Sequence, residues 1–143
     1  MTANGPIFLD ANIFMYTAGR DADWRAICDV ALQKLLAQNL TLVTNAEVLQ
    51  EILHRYFSQR RPADAHLVHR AAMDLCAEIL PVTAYHTVRA LEILPRHPRL
   101  STRDAIHVAT MEARGIRRIL SVDSDFDAIP SVDRMDPEDF ISA

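Results

Sequence analysis

The sequence predicts an α/β fold, a three-layer α/β/α sandwich around a central, mainly parallel sheet. Two observations carry this. Four short apolar runs show almost no alternation: Ile7–Leu9, Leu40–Val43, Ile79–Val82 and Ile119–Val122. Continuous runs of this kind suit strands covered on both faces, as in a parallel sheet between helices. Segments with helical spacing of apolar residues separate the runs, and alternation of strand with helix is the signature of an α/β protein.

In order along the chain, Ile7–Leu9 is the first strand. Ala22–Gln38 places Ala26, Ile27, Val30, Ala31 and Leu35 at helical spacing. Leu40–Val43 is the second strand. Asn45–Arg60 follows as a helix carrying Val48, Leu49, Ile52, Leu53 and Tyr56. Pro62 suits a first helical turn, because its missing N–H would be unpaired there anyway. It opens a helix over Ala63–Ala77 with Leu67, Val68, Ala71 and Leu75. These two helices form a hairpin with Arg60-Arg61 at its turn. Ile79–Val82 is the third strand, and Thr87–Leu94 is a helix closed by Pro95 and Pro98. Thr102–Arg114 is apolar nearly all round and stops at Gly115, a natural C-cap. Ile119–Val122 is the fourth strand, and Val132–Met135 has the weakest pattern of a fifth.

The chain has 143 residues, 50% of them hydrophobic and 24% charged, which suits one folded domain over residues 1–143. No apolar run reaches the roughly 18–20 residues of a membrane span. The N-terminus lacks a basic region followed by a hydrophobic core, so nothing directs secretion and a cytoplasmic location is expected. Cys28 and Cys76 lie in apolar helical stretches and read as small buried thiols. The net charge of −4 argues against broad non-specific binding to nucleic acid. Lys34 is the only lysine, so the other cations are arginines, which recognise phosphate and carboxylate in bidentate fashion. With three glycines the chain has no P-loop and no GxGxxG turn.

The acids carry the chemistry. Asp10 directly follows the first apolar run, where it caps the next helix or binds a ligand at the carboxyl end of a strand. Glu47 completes a capping-box pattern, Thr44-Asn-Ala-Glu47. Glu51 has no such role; it lies beside the stripe of Val48, Ile52 and Tyr56, and a surface pair with Arg55 is its bland alternative. Asp104 has a capping explanation through Ser101, yet it shares a stripe with Val108 and Met111 and needs a partner if it faces inward. Asp123, Asp125 and Asp127 follow the fourth run. Their spacing lacks the later Gly and Glu of a calcium-binding loop, Asp127 suits a plain acidic loop, and Asp123 is the better ligand. Three or four carboxylates brought together repel one another, and an oxygen-preferring divalent cation relieves that repulsion. The pattern therefore reads as a Mg²⁺ or Mn²⁺ site for chemistry on phosphate. His66-x-x-His69 lacks a third ligand at useful spacing. His54 and His107, three residues beyond Glu51 and Asp104, read as hydrogen-bonding neighbours.

Together these residues resemble a PIN domain over nearly the whole chain. Phe8-Leu-Asp10-Ala-Asn12 is similar to the family's opening motif. Val48-Leu-Gln-Glu51-Ile-Leu resembles its second acidic motif and assigns the family glutamate to Glu51 rather than Glu47. Thr102-Arg-Asp104-Ala-Ile-His-Val-Ala109 resembles its third. Leu120-Ser-Val-Asp123-Ser-Asp125-Phe126 resembles its last, with Ser121 where threonine is commoner. The resemblance implies a metal-dependent ribonuclease using Mg²⁺ or Mn²⁺. It implies an acid cluster of Asp10, Glu51, Asp104 and Asp123, with Asp125 as a fifth acid or a group behind the ligands. Asn12 and Ser121 would orient ligands or water, and Arg55, Arg60 and Arg103 would meet the RNA backbone. Compact members of this size are often VapC-like toxins of type II toxin–antitoxin systems, which implies a homodimer silenced by a cognate antitoxin. A housekeeping RNA-processing nuclease and an inactive PIN-like binding module are the alternatives. A phosphatase with an aspartyl nucleophile needs a second Asp where Asn12 stands. A phospho-receiver needs a late-strand lysine, and Lys34 lies in a helix.

Overall fold

The computed structural model describes residues 5–141. Five strands form one sheet in the order β3-β2-β1-β4-β5, and every pairing is parallel. They are β1 (Ile7–Leu9), β2 (Leu42–Asn45), β3 (Glu78–Leu80), β4 (Arg118–Leu120) and β5 (Asp133–Met135). Six α-helices cover the sheet: α1 (Ala11–Thr17), α2 (Ala22–Ala37), α3 (Ala46–Ser58), α4 (Pro62–Leu75), α5 (Ala84–Ile93) and α6 (Thr102–Ala113). The sheet grows from β1 through β2 to β3, then the chain crosses back and adds β4 and β5 on the other side of β1. Parallel crossovers are right-handed, so reversing the direction of growth moves the connecting helices to the opposite face of the sheet. Helices α1 to α4 pack among themselves, and α5 packs on α6. The sandwich expected from the sequence is thus present, with a wholly parallel sheet.

The apolar runs are buried as their patterns demand. Ile7, Phe8, Leu9, Ile119 and Leu120 are fully inaccessible. Helix α6 buries every residue from Ala105 to Met111. Pro62 opens α4 as its first helical residue, and Gly115 follows α6 with φ of 67°, the left-handed conformation that a non-glycine residue resists. At the turn between α3 and α4, Arg60 also has positive φ, at 56°.

Several boundaries differ from the sequence expectation. Strand β2 begins at Leu42 and runs on through Thr44 and Asn45, both buried. Their polar side chains hide the strand's true end, but Thr44 donates its hydroxyl to the Leu9 carbonyl at 2.8 Å and so belongs in the sheet. The expected Thr44–Glu47 capping box is therefore absent, and Asn45 is the N-cap of α3 instead. Helix α5 starts three residues earlier than Thr87, because Thr83 and His86 form a reciprocal capping box that the Ser/Thr-to-Glu pattern does not anticipate. Helix α1 is foreshadowed in the sequence only by the capping potential of Asp10. At 7 residues it is too short to show a full apolar stripe.

Candidate metal centre

In an open parallel sheet, ligands bind beyond the carboxyl ends of the strands where the direction of growth reverses. Here that point lies between β1 and β4, and Asp10 and Ser121 are the residues that follow those strands. Asp10 is the N-cap of α1, accepting the Ala11 N–H at 2.8 Å. Its other oxygen receives the Ser121 hydroxyl at 2.6 Å and the Asn12 amide at 3.2 Å. Ser121 Oγ in turn accepts from Asn12 Nδ2 at 3.2 Å and from the Asp123 N–H at 3.0 Å. Asn12 Oδ1 accepts the Val122 N–H at 3.4 Å. Asn12 and Ser121 thus hold Asp10 in place and tie β1 to the loop after β4.

Helices α3 and α6 bring in the remaining acids. Glu51 lies on the second turn of α3, and its carboxylate meets His107 Nε2 of α6 at 2.8 Å. His107 is fully buried, stacked at a tilt against Phe8 with ring centroids 5.3 Å apart. Its Nδ1 lies 3.0 Å from Asn45 Nδ2. Asp104 sits in the first turn of α6, whose N-cap Ser101 accepts the Asp104 N–H at 3.1 Å. That bond uses the Asp104 backbone and leaves its carboxylate free to face Asp10 and Asp123, whose charges act on it. Asp123 caps the following 3-10 turn through the Asp125 N–H at 2.9 Å.

A cleft of about 430 Å³ collects Asp10, Asn12, Glu51, Asp104 and Asp123, with Arg55 and Arg103 at its border. Asp125 is not in that lining; it lines another cavity with Arg96, Arg99 and Asp127. Glu47 stays outside the cleft and pairs with Arg103 at 3.8 Å. Asp127 forms a bidentate pair with Arg134, as an acid in a surface loop should. His54 is exposed, and His66 and His69 lie on the outer face of α4, away from the acids.

The electrostatics of the cleft are those of crowded, buried acids. Burial raises the Asp10 carboxyl above its ordinary value, with Glu51 adding to the rise and His107 and Ser121 opposing it. Burial and the neighbouring Asp10 push Asp104 up to about 7, with Asp123 contributing further. His107 is pulled down by burial and pushed up by Glu51, Asp10 and Asp104, for a net rise. The Asn45 amide nitrogen at Nδ1 works against that rise, because a proton on Nδ1 would meet its N–H head on.

The donor set fits a hard divalent cation. Asp10, Asp104 and His107 each offer an atom within 4.8 Å of the others. Both nitrogens of His107 are engaged by Asn45 and Glu51, which leaves carboxylate oxygens as the available ligands. Oxygen-rich, anionic donors suit Mg²⁺ or Mn²⁺ better than softer metals.

Asn45 and His107 are the residues whose importance sequence reasoning underestimates. Asn45 is visible there only as part of a capping pattern, and its contact with His107 spans 62 positions. Nothing local to either residue announces it.

A parallel α/β sandwich with carboxylates at its switch point defines a class of α/β proteins that bind a ligand beyond the carboxyl ends of the strands. Within that class the chain belongs to the PIN domain family, whose model matches residues 7–132. It is 36% identical over 129 residues to ribonuclease VapC13 of Mycobacterium tuberculosis, covering 90% of this chain and 98% of that one. Among solved structures it resembles M. tuberculosis VapC20, a sarcin–ricin-loop-cleaving toxin, with a TM-score of 0.70 and 24% identity over 87% of this chain and 95% of that one. It also resembles VapBC2 from Rickettsia felis bound to a promoter DNA fragment, with a TM-score of 0.69 and 18% identity over 91% and 97% of the two chains. At these identities the structural likenesses speak for the fold alone.

Proposed function

We propose that this chain, as one domain over residues 1–143, is a Mg²⁺- or Mn²⁺-dependent endoribonuclease and the toxin of a type II toxin–antitoxin pair. The observation that carries the nuclease is the convergence of Asp10, Glu51, Asp104 and Asp123 on one cleft. Near full-length similarity to a VapC ribonuclease supports both RNA as substrate and the toxin role. The four carboxylates would hold the cation, which supplies charge neutralisation at the scissile phosphate and acidification of the attacking water. Water adds to phosphorus and the 3′-oxygen leaves, giving a 5′-phosphate and a 3′-hydroxyl.

The chain's own residues supply the rest. Asn12 and Ser121 lock Asp10 in one rotamer, so this carboxylate needs no reorganisation on binding. Arg55 lines the cleft and makes no ion pair among the described residues, so its guanidinium is free to take a backbone phosphate. Arg103 shares itself with Glu47 and is the weaker candidate. Arg60 stands at the hairpin turn outside the cleft lining.

Exposed apolar side chains support protein partners. Leu53, Phe57, Leu67 and Met73 are solvent-facing on α3 and α4, as are Tyr85, Val88 and Leu91 on α5. Two such faces suit a homodimer contact and a cognate antitoxin. No helix among the described residues is long and apolar enough to cross a membrane.

Purified protein should cut single-stranded or looped RNA with Mg²⁺ or Mn²⁺ and stop in EDTA. Expressed alone it should arrest growth, and the protein encoded beside it should relieve the arrest. Full cleavage in EDTA, from protein shown free of other nucleases, would remove the metal. Cleavage without growth arrest would remove the toxin role and leave the nuclease.

A further inference from the structure

We propose that Asn45 fixes which nitrogen of His107 carries the proton, and that His107 thereby holds the Glu51 carboxylate in the acid cluster. The inference rests on the reading of Glu51 as a ligand in that cluster. Both residues act through Glu51 and are positioning residues.

The chain of hydrogen bonds has one consistent direction. Asn45 Oδ1 accepts the Val48 N–H at 2.8 Å, as the cap of α3, and this decides which way the amide faces. Its Nδ2 therefore points at α6. There it has two hydrogens to place: one goes to Thr110 Oγ1 at 3.0 Å, the other to His107 Nδ1 at 3.0 Å. Thr110 can accept because its own hydroxyl donates to the His107 carbonyl at 2.9 Å. An amide N–H aimed at Nδ1 requires a lone pair there. The neutral imidazole then carries its proton on Nε2, which donates to Glu51 at 2.8 Å. The opposite tautomer would set two donors against each other at Asn45 and two acceptors against each other at Glu51.

The relay matters because Glu51 reaches the cluster from a helix that also faces solvent. Its side chain keeps 17% exposure, while Asn45, His107 and Thr110 are nearly or wholly inaccessible. The buried end thus disciplines the exposed one. A helix cap, a buried histidine and a ligand carboxylate become one rigid unit joining β2, α3 and α6.

Nitrogen-15 NMR of the metal-free protein at pH 8 tests the direction of the relay. The wild type should show His107 protonated on Nε2 and bare on Nδ1. Asn45→Asp keeps the helix cap but offers Nδ1 only acceptors, so a proton should appear on Nδ1. A proton on Nδ1 in the wild type, or a bare Nδ1 in Asn45→Asp, overturns the proposal.

Mn²⁺ titration calorimetry tests the consequence. In His107→Gln the amide nitrogen stands near Nε2 and still donates to Glu51. In His107→Asn it stands near Nδ1 and cannot reach. His107→Gln should stay within about threefold of wild-type Mn²⁺ affinity, and His107→Asn should lose about 10–100-fold, the usual effect of removing a group that orients a ligand. Equal loss in both variants at matched thermal stability reduces His107 to a space-filler and overturns the proposal. Neither measurement needs cleavage. Wild-type protein that passes both but cuts no RNA supports the relay and contradicts the nuclease reading, whereas active protein that fails them overturns the relay alone.

Discussion

Replacing Asp104 by Asn should stabilise the metal-free protein above neutral pH and do so in a pH-dependent way. In the folded chain the Asp104 carboxyl is raised from 3.8 to about 7 by burial and by Asp10. Below about pH 4 it is protonated in both folded and unfolded chains and costs nothing. Between about pH 4 and 7 the unfolded chain releases a proton that the folded chain retains, so stability falls as pH rises. Above pH 7 the loss is complete, and a rise from 3.8 to about 7 corresponds to about 4 kcal/mol. Asparagine carries no charge at any pH and escapes this loss. It gives up the favourable interaction of a carboxylate with the first turn of α6, about 0.3–1 kcal/mol. The net expectation at pH 8 is a gain of about 3 kcal/mol, or roughly 10 °C in Tm for a chain of this size. At pH 4 the gain should vanish. Urea unfolding in EDTA at pH 4, 6 and 8 measures this directly. Mg²⁺ should narrow the gap without reversing it, since a ligand at one hundred times its Kd adds about 2.7 kcal/mol to the wild type and less to a variant lacking one carboxylate. A gain that is the same at pH 4 and pH 8, or a loss at pH 8, would refute the argument from charge crowding.

Arg55→Ala should raise KM for RNA with kcat little changed and flatten the salt dependence of binding by about 0.7 in log–log slope, the value for one lost contact to single-stranded phosphate; a fall in kcat at constant KM would assign Arg55 elsewhere. Glu47→Gln should leave cleavage within about twofold and stability within about 0.5 kcal/mol, because its one ion-pair partner among the described residues is the half-exposed Arg103 at 3.8 Å. Loss of activity in that variant would move the glutamate motif from Glu51 to Glu47. Gly115→Ala should cost about 1 kcal/mol in urea unfolding: a Cβ there meets nothing within 4 Å, so only the φ of 67° opposes it. A neutral substitution would remove the conformational argument for the α6 C-cap.

The layers and most elements are legible because burial on both faces writes itself into sequence as unbroken apolar runs. Ile7–Leu9 needs no correction as a strand. The end of β2 is not legible, since Thr44 and Asn45 satisfy their side chains through Leu9, His107 and Thr110, partners at least 35 positions away. The start of α5 falls three residues before its expected place because His86 takes the part normally given to Glu in a capping box. At the candidate site, the expected convergence of the four acids follows from their places after strands and on the helices beside the switch point. Asp125 differs because Asp123 caps the 3-10 turn and directs the next acid toward Arg96 and Arg99. The sequence favours Asp123 because it directly follows the strand, and the turn then places Asp125 in the lining of a different cavity. The role of His107 is legible as a neighbour of the acids, but its orientation by Asn45 depends on α6 lying against the end of β2.

The measurement closest to the central claim is RNA cleavage by Asp10→Asn beside the wild type, in Mn²⁺ and in EDTA, with urea unfolding of both. Asn caps a helix about as well as Asp, so α1 keeps its N-cap; the amide nitrogen then replaces the oxygen that accepted from Ser121 and Asn12, and the loss of those bonds is set against the removal of a buried charge. Metal-free stability should hold or rise, because burial already opposes the Asp10 charge. Cleavage in Mn²⁺ should fall to the level that wild type shows in EDTA. A folded Asp10→Asn protein that cleaves at the wild-type rate in Mn²⁺ would contradict the account at its root.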